Sequence, residues 1–119
     1  EALGWRPKGH DRLDFVLLGM GPDGHTASIF PGSPALHEMD RLAMDVPPPT
    51  TVAPAVPRCT LTLRMINASR FIAPLVMGAG KRAMLSRVEA GASPDEVPIA
   101  GLKPVAGELR WYLDAAACL

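Results

Sequence analysis

Two apolar runs, Leu13 to Leu18 and Phe71 to Met77, constrain this chain more than any other feature. Each is followed at once by a glycine-rich turn, Gly19-Met20-Gly21 and Gly78-Ala79-Gly80. A strand with one wet face alternates polar and apolar residues, whereas a strand covered on both faces does not. Apart from Asp14 near its start, the first run is continuous, and both read as buried parallel strands. Between and after them, strand-like and helix-like segments alternate, which points to a layered α/β fold.

The remaining segments fill in that outline. Leu42 to Val46 reads as a short strand, followed by an extended loop over Pro47-Pro48-Pro49-Thr50-Thr51. Cys59 to Leu63 alternates and carries β-branched residues, as a strand would, and Ile66 to Arg70 reads as a helical turn. From Lys81 to Ala90 a helix is expected, with Ala83, Met84, Val88 and Ala90 on one face and Gly91 at its C-cap. Pro98 to Leu102 suggests a single helical turn, and Leu109 to Leu113 a last short strand. Asp114 then stands where it can cap a closing helix.

At 119 residues the chain is the size of one domain. It has 12 basic and 12 acidic residues, a balance that gives no general pull toward nucleic acid or anionic lipid. Any charged ligand must therefore be met locally. No apolar run reaches the ~18 residues of a membrane span. Cys59 and Cys118 lack metal-ligand or redox-motif spacing and read as two separate reduced thiols, which suits a cytoplasmic protein.

The first glycine turn belongs to the stretch GMGPDGHTASIF, which fits the pattern G-x-G-x-x-G of dinucleotide-binding folds. Asp45 even lies about twenty residues further on, where a ribose-binding acid is expected. Two features oppose that reading. Pro31, Gly32 and Pro34 interrupt the helix that should support a pyrophosphate, and Asp23 sets a carboxylate where the pyrophosphate should rest. The other reading centres on Asp23-Gly24-His25, at the carboxyl end of a buried strand, where open α/β sheets bind ligands. Histidine can take and return a proton near neutral pH, and a neighbouring carboxylate can hold its tautomer. A turn histidine that only bonds the backbone is the plainer alternative.

The block LDFVLLGMGPDGHTASIFPGS closely resembles the signature of the 6-phosphogluconolactonase family. The likeness continues through PRCTLTLRMINASR, VMGAGKRAML and ELRWYLDAAA, in the family's order. Glucosamine-6-phosphate deaminases are similar in the D-G-H loop but usually continue I-A-F-N-E-P, and TASIFP here favours the lactonases. The resemblance implies a three-layer α/β/α fold with a mainly parallel sheet, Rossmann-like. It also implies hydrolysis of 6-phospho-gluconolactone to 6-phosphogluconate in the pentose phosphate pathway, without a cofactor or metal.

By the same resemblance His25 is the general base and Asp23 its orienting partner. Backbone N–H groups around Gly21 and Gly24 become candidate oxyanion donors, and Arg58 and Lys81 match the family's phosphate-binding cations. The resemblance covers only the C-terminal half of a family member, because the small-residue S-G-G-S-T loop and the acidic D-E-R segment have no counterpart here. Residues 1–119, beginning at Glu1, are accordingly expected to be a single partial domain whose partner is the missing N-terminal half. A half-sheet of this kind should expose an apolar edge and face. An amino-sugar-phosphate isomerase or deaminase, and a non-catalytic fragment serving as an interaction module, remain the competing readings. His10 and His37 read as surface histidines, Trp5 and Trp111 as packing residues, and Asp95-Glu96 as the start of a capped turn.

Overall fold

The computed structural model describes residues 12–49 and 55–118. Trp5, His10 and the Thr50-Thr51 end of the proline loop lie outside the described residues. The two apolar runs do pair. Strand β1 (Val16–Leu18) runs parallel to β4 (Phe71–Val76), with Val16 opposite Ile72 and Leu18 opposite Pro74. On the other side of β4 come β5 (Glu108–Leu109) and β6 (Tyr112–Leu113), both parallel to it. The strand expected from Leu109 to Leu113 is thus two short pieces. Trp111, between them, packs against the core, and the Arg110 N–H still donates to the Ile72 carbonyl at 3.0 Å.

A separate antiparallel pair joins β2 (Ala43–Val46) to β3 (Arg58–Leu61). The strand expected to run through Leu63 stops short because Thr62 turns it into a helix. Its hydroxyl donates to the Arg41 carbonyl at 2.7 Å and accepts from the Met65 N–H, capping α1 (Leu63–Asn67). The helical turn anticipated at Ile66 therefore begins earlier, at Leu63.

After β4 a 3₁₀ turn (Ala79–Lys81) leads into α2 (Arg82–Glu89). The packed face of α2 is Met84, Leu85 and Val88, while Ala83 and Ala90 are exposed, so the expected face is corrected by a rotation. Larger side chains set that rotation, since burying a leucine removes far more apolar area from water than burying an alanine. Gly91 ends the helix at φ 87°, donating to the Val88 carbonyl at 3.1 Å. A 3₁₀ turn (Pro98–Gly101) and a closing helix α3 (Ala115–Cys118) appear where the sequence suggests them. Asp114 caps α3 through the Ala117 N–H at 2.9 Å.

One cluster forms the core. Val16, Leu18, Ile72 and Val76 of the sheet meet Ile66 of α1, the α2 face, and Ile29, Val97 and Ile99 from the loops. The opposite sheet face is open. Phe15 is 58% exposed, Leu17 62%, Leu75 43% and Met77 62%, and the Phe15 and Phe71 rings stack at 5.2 Å. Apolar composition on both faces is thus matched by burial on one only. Among the described residues β1 has β4 on one side and no strand on the other. This is a partial α/β domain with a mainly parallel sheet. No helix of the described residues is long and apolar enough to cross a membrane.

Candidate active site

The glycine loop leaves β1 and folds back on itself. The Gly21 N–H donates to the His25 carbonyl at 2.9 Å, and the Gly24 N–H donates to the Gly21 carbonyl at 3.0 Å. Outer ties fix it further. The Thr26 hydroxyl donates to the Gly19 carbonyl at 2.9 Å, and the Ile99 N–H donates to the Gly24 carbonyl at 2.9 Å. Two residues take left-handed backbone, Gly24 at φ 82° and Ala27 at φ 50°. For alanine that conformation costs energy, and the tethers around it hold it there. No long helix follows, because Pro31, Gly32 and Pro34 lead into a 3₁₀ turn (Pro34–His37) instead.

Within the loop Asp23 and His25 form one unit. Asp23 Oδ1 lies 2.5 Å from His25 Nδ1 and also accepts the His25 backbone N–H at 3.1 Å. Their side chains are 13% and 22% exposed, enough shielding to strengthen the contact and enough access to reach a ligand. An ionised carboxylate only accepts, so Nδ1 must carry a hydrogen and Nε2 is left as the basic nitrogen of the neutral ring. The tautomer follows from the hydrogen-bond network. Gly21 makes room for this pair, since a Cβ there would stand 2.1 Å from His25 Nδ1. A cavity of about 360 Å³ opens beside the ring, lined by Leu17, Leu18, Gly19, Met20, Gly21, His25 and Ala27.

Two cations reach this loop from elsewhere in the chain. Lys81, at the junction of the 3₁₀ turn and α2, donates from Nζ to the Met20 carbonyl. Arg58, the first residue of β3, holds its guanidinium carbon 5.6 Å from the centroid of the Phe30 ring. Phe30 in turn packs against His25, with ring centroids 4.6 Å apart and planes tilted by 42°. All six residues singled out from the sequence therefore connect to one loop.

The N–H groups of Gly21 and Gly24 themselves are engaged inside the loop, on the His25 and Gly21 carbonyls. Phe30 and Thr60 escaped the sequence reading. The buried Thr60 hydroxyl accepts the Ser28 N–H at 3.0 Å and donates to the Leu61 carbonyl at 2.9 Å, fastening the loop to β3. In sequence Thr60 is one more β-branched strand residue, and Phe30 one more apolar residue before a proline. Neither carries a local signal. His37 is exposed, as expected, and pairs with Asp95 at 2.7 Å. Asp95 begins a turn capped by the Ser93 hydroxyl at 3.2 Å.

Residues 2–111 match the family model described as glucosamine-6-phosphate isomerases/6-phosphogluconolactonase. Among curated proteins, the chain is 40% identical over 105 residues to the 6-phosphogluconolactonase of Bos taurus, covering 88% of this chain and 40% of that protein. It is 44% identical over 112 residues to the GDH/6PGL endoplasmic bifunctional protein of Oryctolagus cuniculus, covering 90% of this chain and 13% of the other. In structure it is similar to the 6-phosphogluconolactonase of Trypanosoma cruzi, with TM-score 0.83 and 34% identity, over 98% of this chain and 46% of that one. A monomeric glucosamine-6-phosphate deaminase, 20% identical at TM-score 0.70, shares the fold. The chain spans less than half the length of each of these relatives.

Proposed function

The chain belongs to the family of glucosamine-6-phosphate isomerases and 6-phosphogluconolactonases, and we propose that, joined to the rest of its domain, it hydrolyses 6-phospho-D-glucono-1,5-lactone to 6-phosphogluconate. The observation that carries the reading is the Asp23–His25 unit, 2.5 Å between Oδ1 and Nδ1, on the wall of an open cavity. His25 Nε2 takes a proton from water, and the oxygen attacks the lactone carbonyl carbon. The bond from that carbon to the ring oxygen then breaks, and the imidazolium returns the proton to the leaving oxygen. Asp23 holds the tautomer and stabilises the imidazolium, as a buried carboxylate does in a catalytic triad.

Arg58 and Lys81 are the proposed cations for the remote phosphate, Arg as a planar fork and Lys as a point charge. Gly21 and Gly24 serve by letting the backbone approach the substrate closely. The proposed partner is the remainder of the domain, laid over Phe15, Leu17, Leu75 and Met77 and against the edge of β1 that has no strand partner among the described residues. Residence in the cytoplasm is proposed from Cys59 and Cys118, both free and exposed.

The test uses the full-length protein with two substrates, correcting for spontaneous lactone hydrolysis. Saturable hydrolysis of the lactone, with no release of ammonia from glucosamine 6-phosphate, is the expected outcome. Turnover of the amino sugar alone would move the chain to the isomerase branch, and turnover of neither to a non-catalytic role.

A further inference from the structure

Phe30 stands between two groups that the chain supplies from different places. His25 sits on the loop after β1, and Arg58 opens β3. A single ring touches both, His25 at 4.6 Å between centroids and Arg58 at 5.6 Å from the guanidinium carbon to the centroid. Base and cation therefore cannot be farther apart than those two contacts laid end to end. The ring itself has little freedom, being only 5% exposed.

Its backbone is tied on both sides. The Ser33 N–H donates to the Phe30 carbonyl at 3.0 Å, and the preceding Ser28 N–H donates to the Thr60 hydroxyl on the same strand as Arg58. An arginine left to itself samples many rotamers, and ordering it opposes any binding that needs one of them. A guanidinium over an aromatic face is held by the ring quadrupole without using up its hydrogen-bond donors. We infer that Phe30 is a positioning residue that fixes the Arg58 cation relative to the His25 imidazole, and so sets the span between the base and the anionic end of the ligand. This rests on the lactonase reading for the identity of that ligand, but the geometry of the three side chains does not.

The experiment has two arms in the full-length protein. In the first, relaxation of the Arg58 Nε–Hε group is measured in the ligand-free parent, Phe30→Leu and Phe30→Tyr. The order parameter should fall in Phe30→Leu and be restored in Phe30→Tyr, which keeps the ring. An Arg58 equally ordered in all three, or equally mobile in the parent, overturns the inference whatever the enzyme does.

In the second arm KM and kcat for the phospholactone are measured in a double-mutant cycle with Arg58→Ala. Phe30→Leu should raise KM about fivefold when Arg58 is present, the scale of one cation–π contact. The KM effect should shrink below about twofold in the Arg58→Ala background, the signature of a shared interaction. An equal rise in both backgrounds would make Phe30 mere core packing and sink the proposal. A parent without lactone hydrolysis would defeat the functional reading, while the relaxation arm would still decide the positioning role. Should Phe30→Leu unfold, a mobile Arg58 in the parent would still refute the inference and an ordered, ring-shifted one would support it.

Discussion

Asp114 accepts the backbone N–H of Gly78 through both carboxylate oxygens, at 3.0 and 3.2 Å, and so ties the end of the chain to the turn that follows β4. Its Oδ1 also accepts the Ala117 N–H and caps α3. The bond to Gly78, then that to Ala117, holds the Asp114 carboxyl below its ordinary range. Glu38 is held below its range in the same way, by the N–H groups of Arg41 and Asp40. A carboxyl that is more acidic when folded stabilises the fold above its unfolded value. That contribution is lost as pH falls through the ordinary carboxylate range toward the folded value. Thermal melts from pH 7 down to pH 3 should show a loss of stability that is smaller in Asp114→Asn than in the parent. An identical slope in both would rule out this linkage.

Replacing His25 by Ala should lower background-corrected turnover by about a hundredfold or more, the scale of a lost general base. Asp23→Asn should leave the melting behaviour close to the parent's and also reduce turnover. An asparagine oxygen can still accept from the imidazole but supplies no charge to the imidazolium. Near-parent turnover in His25→Ala would be decisive against the mechanism.

Arg58→Ala and Lys81→Ala should differ in kind. Arg58 meets the loop through a ring, so its loss should raise KM more than it lowers kcat, as expected for uniform binding. Lys81 also bonds the Met20 carbonyl inside the loop. Its loss should therefore lower kcat as well as affinity, by about tenfold or more, through displacement of the loop. Isothermal titration with 6-phosphogluconate beside steady-state kinetics separates the two. Binding by both variants as tight as the parent's would remove them from the phosphate site.

Gly21→Ala tests whether the loop was shaped for His25. The added methyl would lie 2.1 Å from the imidazole ring and 2.9 Å from Asp23 Oδ1, so the ring must move. The backbone of Gly21 is not left-handed, so alanine is tolerated there by φ. The expected result is a folded protein with turnover reduced about a hundredfold, the cost of roughly 1 Å of misplacement at a reacting group. Retained turnover would show that the histidine position is not critical.

The open sheet face should behave differently in the short chain and in the full-length protein. Expressed alone, residues 1–119 should associate and bind a hydrophobic dye, and Leu17→Lys with Leu75→Lys should reduce both effects. In the full-length protein either substitution should cost about 2 kcal/mol or more, because a charge would then be buried under the remainder of the domain. Denaturant melts showing no cost there would mean that the rest of the protein covers something else.

By itself the sequence determined the elements whose causes are local. The two apolar runs made strands, Asp114 began one helix and Gly91 ended another, and three residues placed a carboxylate beside an imidazole in the loop after β1. Motif likeness identified the family because the glycine loop must be spelled in residues that leave room for the His25 ring. Tertiary structure decided what depends on distant partners. It ended β3 at Thr62 through the Arg41 carbonyl, turned α2 onto Leu85, and fastened the glycine loop to β3 through the Thr60 hydroxyl. It also joined His25 to Arg58 through Phe30. Side-chain contacts between such distant positions are chosen by packing, in which every neighbour must fit at once, and no short window of sequence contains both halves of such a choice.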